Sequence, residues 1–162
     1  EADFGGDNRV LVALMARDQA HPPLAGQILL SPILDPCVGS ASQRRTTGDA
    51  VDCKWVQGWR NFLRCPRDAE HPYAVPASAH RLAGLPPTLV LVGDTDPMRD
   101  EALAYAARLH AAGLQVTQHV FAKAEKWPEP LLETGPHECP CAGAVQEEFR
   151  RFFEATRCRE SS

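Results

Sequence analysis

Residues Val90 to Glu101 read V-L-V-G-D-T-D-P-M-R-D-E, and this stretch decides the fold. The apolar, β-branched run over Thr88–Gly93 predicts a buried strand. The acid-rich turn behind it predicts the start of a helix over 100–112. Open α/β sheets bind ligands beyond the carboxyl ends of their strands. Asp96, in the turn after the strand, is therefore our first candidate site residue.

Strands and helices alternate on both sides of this stretch. The first predicted helix, over 8–20, places four apolar residues on one stripe: Val10, Leu11, Leu14 and Met15. Further helices are predicted around 54–63 and over 142–156, the latter with four apolar residues on one face: Val145, Phe149, Phe152 and Phe153. Further strands are predicted over 27–31 and 115–121. Residues 37–83 otherwise lack a regular pattern and predict long irregular connections. The alternation predicts an α/β fold with a parallel sheet covered by helices on both faces.

Composition narrows the function classes. The chain has 162 residues, of which 44% are hydrophobic and 23% charged, as expected of one globular domain over 1–162. The net charge of -4 is spread along the chain, so we expect no nucleic-acid partner. No apolar run approaches the roughly 18 residues of a spanning helix.

Cysteine is the one residue type that raises a metal question. The six cysteines predict either buried or idle thiols, or one or two disulfides. His137-x-Cys139-x-Cys141 offers three ligand types of a zinc site, but without the usual C-x-x-C spacing. We therefore expect no metal and no cofactor.

Several motifs around Val90–Glu101 carry a family resemblance. They are G-L-P-P at Gly84 to Pro87, A-G-Q-I-L-L-S-P-I-L-D-P at Ala25 to Pro36, and H-P-Y-A-V-P at His71 to Pro76. With D-P-M-R-D-E they resemble the hormone-sensitive-lipase-like branch (fold-3 family) of the α/β-hydrolase fold, whose members are carboxylesterases. The resemblance implies a partial α/β-hydrolase fold, the C-terminal half of the domain. Its N-terminal strands, cap helices and His-Gly-Gly oxyanion-hole loop have no counterpart here. We thus expect an unpaired sheet edge that permits self-association.

The resemblance implies a Ser-Asp-His triad and assigns Asp96 as its acid. The nucleophile motif S-A-G-G-N falls on Asp3-Phe4-Gly5-Gly6-Asp7, so Asp3 stands at the serine position and the backbone N–H of Phe4 is the one oxyanion donor. Two interpretations of Asp3 remain open. It can be a charged N-cap of the first helix, or a carboxylate nucleophile like those of the dehalogenase branch.

The base position is also changed. The family's Y-P-G-x-x-H falls on Phe121 to Lys126, which places Lys126 where the histidine should be. An ammonium with a pKa of about 10.4 cannot accept a proton at neutral pH. The alternative base is His137, after Gly135-Pro136, and His119 inside a strand is expected to be structural.

Three functions follow from these positions. The first is a carboxylic-ester hydrolase with a degenerate triad, weak or inactive because of Asp3 and Lys126, which would form an ion pair. The second is a non-catalytic protein that binds a ligand or partner, as the gibberellin receptors of this branch do. Trp55, Trp59 and Phe62 either line its pocket or pack on the sheet. The third is an Asp-nucleophile hydrolase that uses His137. The expected partner is a small ester or another apolar ligand.

Overall fold

The computed structural model describes residues 8–19, 24–37, 39–47, 54–63, 65–122, 127 and 141–157. The elements are, in chain order, α1 (Asn8–Asp18), β1 (Gln27–Leu30), α2 (Ala41–Thr47), α3 (Lys54–Phe62), two 3₁₀ helices (Pro66–Glu70 and Pro76–Ser78), β2 (Thr88–Gly93), α4 (Arg99–Ala111), β3 (Val116–Phe121) and α5 (Ala142–Arg157). Every predicted strand and helix is present, with boundaries that differ by at most two residues. Gly113 follows α4 with a φ of +80°, a left-handed conformation that suits glycine at a helix C-terminus.

The three strands form one parallel sheet in the order β1-β2-β3. Leu29 of β1 lies opposite Val90 of β2, which in turn lies opposite Gln118 of β3. All six residues of the central strand β2 are buried. These observations confirm the predicted α/β fold. Among the described residues β1 pairs with β2 alone, and self-association through its other edge stays a prediction.

Both faces of the central strand β2 are covered, whereas most of β3 is partly or fully exposed. Successive side chains of a strand point to opposite faces. Val90 and Val92 face α1 and α4, whose contributions are Val10, Ala13, Leu14, Ala102, Tyr105, Ala106 and Leu109. Leu89 and Leu91 face the other way, toward Phe121, Trp127, Val145 and Phe152. Burial on both sides explains why β2 is a continuous apolar run instead of an alternating one.

Each of the apolar stripes predicted for α1 and α5 includes one residue that is exposed in the structure. Val10, Leu11 and Leu14 are buried as expected, but Met15 is 39% exposed. In α5, Phe152 is buried while the adjacent Phe153 is 53% exposed. Neighbouring residues on a helix are about 100° apart around its axis, so an apolar residue at the margin of a stripe can fall outside the covered face.

The prediction of an irregular segment over 37–83 was wrong at α2. The side chain of Gln43 accepts hydrogen bonds from the N–H groups of Gly39 and Ser40, at 3.0 and 2.9 Å. The N–H of Gln43 donates to Ser40 Oγ at 3.2 Å. This reciprocal pattern is a capping box, and its signature S-x-x-Q is present at Ser40 to Gln43. The helix starts from this local contact and has little apolar periodicity.

The three cysteines in the described part of the chain include both thiols and a disulfide-bonded residue. Cys37 and Cys65 are free and exposed, whereas Cys141 is disulfide-bonded. The sulfur of Cys141 is therefore not the thiolate that a zinc site requires. Within the described part of the chain, no helix combines the length and apolar character needed to cross a membrane.

Candidate active site

Asp96 lies in the tight turn between β2 and α4, at the carboxyl end of the central strand. Its N–H donates to the carbonyl of Gly93 at 3.2 Å, and its own carbonyl accepts from the N–H of Arg99 at 3.1 Å. The residue is only 2% exposed. The turn therefore places a carboxyl group, largely removed from water, where parallel sheets hold their ligands.

Each oxygen of the Asp96 carboxyl has a hydrogen-bond donor. The N–H of Met98 donates to Oδ1 at 2.8 Å, and the hydroxyl of Ser31 donates to Oδ2. Burial raises the pKa of Asp96, while the two donors and the nearby Arg99 guanidinium oppose that rise without cancelling it. The group is thus a buried acid held in a defined orientation.

Ser31 comes directly after β1 and brings the second donor. Its N–H donates to the carbonyl of Leu91 at 3.0 Å, so it is tied to the neighbouring strand. Its φ is +45°, and it is the one described residue other than glycine with a positive φ. The left-handed region costs an L-residue roughly 1–2 kcal/mol. Strain of this kind concentrates at functional sites.

The role of Ser31 was not predicted, and its position excludes the most obvious one. In this fold the residue after the nucleophile supplies an N–H to the oxyanion hole. The residue after Ser31 is Pro32, which has no N–H. Ser31 therefore lacks that donor and is not a nucleophile of this kind. The available signal was a serine at the end of a strand, in the motif Ala25 to Pro36.

The last acid of D-P-M-R-D-E holds the loop that follows β1. Oε1 of Glu101 accepts from the N–H of Leu34 and, at 2.7 Å, from the N–H of Asp35. Oε2 accepts from Gln43 Nε2 at 3.0 Å. Glu101 thereby fixes the loop that carries Ser31 and α2.

Asp100 performs a related task at the start of α2. Its carboxylate accepts from the N–H of Ser42 at 2.8 Å, and the Ser42 hydroxyl donates to the carbonyl of Pro97 at 2.7 Å. Burial tends to raise the pKa of Asp100, but hydrogen bonds from Arg99 and Ser42 outweigh it and the pKa is lowered. The pKa values of Asp96 and Asp100 are thus shifted in opposite directions, although the two residues are four positions apart in one motif.

The family model for the α/β-hydrolase fold matches residues 4–125. This chain belongs to the α/β-hydrolase fold family. Its relatives include esterase LipI of Mycobacterium tuberculosis, 31% identical over 71% of this chain and 37% of the relative. They also include a gibberellin receptor of Arabidopsis thaliana, 32% identical over 70% of this chain and 35% of the receptor.

A solved structure agrees with this assignment. The thermostable esterase from Pseudomonas putida ECU1011 superposes with a TM-score of 0.66 and 33% identity, over 74% of this chain and 40% of that esterase. The resemblance inferred from the motifs is thereby confirmed. The chain spans well under two thirds of the length of each of these proteins.

The other predicted triad positions of this α/β-hydrolase chain are Asp3, Phe4, Lys126 and His137, and all four lie outside the described residues. Their roles stay predictions. His119 lies in β3, with its ring 4.4 Å from that of Phe121 and its Nδ1 3.5 Å from Glu148. These contacts fit the structural role expected of it.

The described part of the chain has a groove of about 400 Å³, between the end of α1 and residues 84–87 before β2. The groove opens at the amino end of the sheet, opposite to Asp96.

The aromatic residues of α3 do not form one buried or one exposed face, because Trp59 is 3% exposed and Phe62 is 48% exposed. Across the described ranges, no three His, Cys, Asp or Glu side chains are grouped as metal ligands.

Proposed function

We propose that this chain carries the acid-bearing half of an ester-hydrolase site, with Asp96 as the acid, and that it hydrolyses carboxylic esters weakly or not at all. The observation that carries the proposal is the buried Asp96 carboxyl at the carboxyl end of the central strand. It lies within the residues matched by the α/β-hydrolase family. Two of the similar proteins, LipI and the Pseudomonas protein, are esterases.

The geometry of Asp96 suits the acid of a triad. That acid accepts the N–H of the base imidazole, holds its tautomer and stabilises the imidazolium that forms. An ionised carboxylate has about four lone-pair sites, and three are used by donors from Met98, Ser31 and the backbone of Gly93. The remaining site can accept a hydrogen bond from a base while the carboxyl stays in place.

Low turnover follows from the residues at the other two positions. Acyl transfer needs a nucleophile, a base near neutral pKa and preorganised oxyanion donors. Asp3 replaces the hydroxyl nucleophile, and Lys126 offers an ammonium in place of an imidazole. In this proposal the two residues form an ion pair, which fills the site with opposite charges and leaves no proton relay.

Hydrolysis of p-nitrophenyl acetate by the full chain tests this proposal. We expect the wild type, Asp96→Asn, Asp3→Ala and Lys126→Ala to be equal within about twofold. The double variant Asp3→Ser/Lys126→His should gain activity, and adding Asp96→Asn should remove most of that gain, by about 10³-fold or more on the precedent of serine-protease triads. A gain that survives Asp96→Asn would contradict the role of Asp96.

The Asp-nucleophile alternative gives a different pattern. It requires measurable wild-type turnover that both Asp3→Ala and His137→Ala abolish, while Lys126→Ala leaves it intact. That result would replace our proposal with an Asp-based hydrolase. The four variants therefore separate the two mechanisms in one assay.

A second candidate function is ligand binding without turnover, favoured by the similarity to a gibberellin receptor. The expected ligand is a small apolar ester or a similar molecule. An ester-shaped ketone, such as phenyl butyl ketone, cannot be hydrolysed and serves as the probe in a calorimetric titration. Saturable binding by a chain without esterase activity would support this function, and its absence would argue against it for ligands of this shape.

A further inference from the structure

We propose that Ser31 is a positioning residue for Asp96: its hydroxyl, held at the end of β1 by a left-handed backbone, fixes the Asp96 carboxyl in the orientation that a base must meet. The inference rests on the proposed function in one respect, since orientation matters for catalysis only if Asp96 is the acid. The contact itself is testable without turnover.

The backbone of Ser31 explains how the hydroxyl reaches its target. A residue that continued β1 would point its side chain at one face of the sheet. The positive φ ends the strand instead, and the Ser31 hydroxyl contacts the turn after the neighbouring strand β2. The hydrogen bond from its N–H to the carbonyl of Leu91 holds Ser31 at the carboxyl end of the sheet. The left-handed conformation of Ser31 thus places its hydroxyl where it donates a hydrogen bond to Asp96.

The hydroxyl changes how firmly the carboxyl is held. The terminal torsion of an aspartate side chain has a broad energy minimum, and the other donors to the carboxyl, Met98 and Gly93, are backbone groups close to Asp96 in the chain. The bond from Ser31 adds a restraint from the neighbouring strand on Oδ2. Arg99 does not replace it, because its side-chain N–H groups bond to Asp100 and to the carbonyl of Asp94.

Two variants separate positioning from a merely structural role. Ser31→Gly and Ser31→Ala both delete the hydroxyl, but glycine relieves the positive φ while alanine retains it. Their effects on stability should therefore differ, with Ser31→Gly the more stable of the two. Their effects on Asp96 should agree, because both remove the same donor. Ser31→Gly also keeps the test valid should Ser31→Ala fail to fold.

The readouts are the NMR titration of the Asp96 carboxyl carbon, assigned with Asp96→Asn, and hydrogen exchange at the Met98 amide. In both variants we expect the titration midpoint to rise, because the ionised form loses a donor. We also expect Met98 to exchange about fivefold faster or more, as the loss of one hydrogen bond implies. The amide of Leu85, which bonds to Leu82 at the other end of the sheet, should not change.

The matched control is Ser42→Ala. Ser42 contacts the same turn, where its hydroxyl donates to the carbonyl of Pro97 and its N–H to the Asp100 carboxylate. It should leave the midpoint unchanged. The proposal is overturned if Ser31→Gly leaves both readouts as in the wild type, or if Ser42→Ala moves the midpoint as far. Failure of the esterase assay, by contrast, would count against the proposed function and leave these NMR results standing.

Discussion

Buried polar side chains lie at both ends of the sheet, but they are neutral at the amino end and ionisable at the carboxyl end. At the amino end, Gln27 Nε2 donates to Thr88 Oγ1 at 2.7 Å, and the Thr88 hydroxyl donates to the carbonyl of Pro86 at 3.0 Å. All of these groups are neutral. At the carboxyl end, the ionisable Asp96 is buried, and burial raises its pKa. Strand pairing alone does not require a buried acid, and burying one is costly. The difference is consistent with the role proposed for Asp96.

The largest effect is expected from Glu101→Ala, because its side chain accepts two backbone N–H groups and the amide of Gln43. Leaving these part-buried donors without a partner should lower the free energy of unfolding by about 2–3 kcal/mol. Urea denaturation measures the change. Glu70→Ala, at an exposed position, is the control and should have little effect. An equal loss of unfolding free energy in both variants would show that the contacts of Glu101 stabilise the protein no more than an exposed side chain does.

The amino end should be replaceable by apolar groups. Thr88→Val removes the partner of Gln27 and should cost about 1–2 kcal/mol of unfolding free energy. The double variant Thr88→Val/Gln27→Leu should recover most of that loss, because Gln27 Oε1 is already buried without a hydrogen bond. The same urea experiment applies. A double variant no more stable than Thr88→Val would show that apolar groups cannot replace the Gln27–Thr88 hydrogen bond.

A smaller, pH-dependent effect should distinguish the two aspartates of the motif. The pKa of Asp96 is raised above 3.8, so its contribution to stability is complete below that value and is lost as the pH rises through the folded-state pKa. The pKa of Asp100 is lowered, so its contribution is present above 3.8 and is lost as the pH falls through the folded-state pKa.

Unfolding free energies of the wild type, Asp96→Asn and Asp100→Asn between pH 3 and 7 measure these contributions as differences. Relative to Asp96→Asn, the wild type should lose stability as the pH rises from about 4. Relative to Asp100→Asn, it should lose stability as the pH falls below about 4. If the unfolding free energies of the wild type and each variant changed in parallel with pH, the folded-state pKa values of Asp96 and Asp100 would not be shifted in opposite directions.

The smallest effect is expected on the exposed face of α5. The hydrogen bond from Arg150 lowers the pKa of Glu147 to about 2, yet both side chains lie in water. Exposed ion pairs are screened and add little to stability. Glu147→Gln should leave the Tm unchanged in a thermal melt at physiological salt. A clear drop would show that surface charge also matters in this domain.

Local pattern predicted most of the framework. The strand Thr88–Gly93 was predicted at its observed boundaries because it is buried on both faces and bounded by turn residues. α2 escaped prediction because a capping contact of Gln43, rather than an apolar stripe, starts it. Met15 and Phe153 were assigned to buried stripes because periodicity does not report how far the sheet extends.

The site divides in the same way. The position of Asp96 between a buried strand and a helix could be predicted from the sequence, since the apolar run and the acid-rich turn are contiguous. The groups around its carboxyl could not, because they come from distant parts of the chain. Ser31 is 65 residues from Asp96 in the chain, and Leu34 is 67 from Glu101. These pairs meet because β1 and β2 are parallel, which brings their carboxyl ends to one edge, and because their register sets which side chains face each other there.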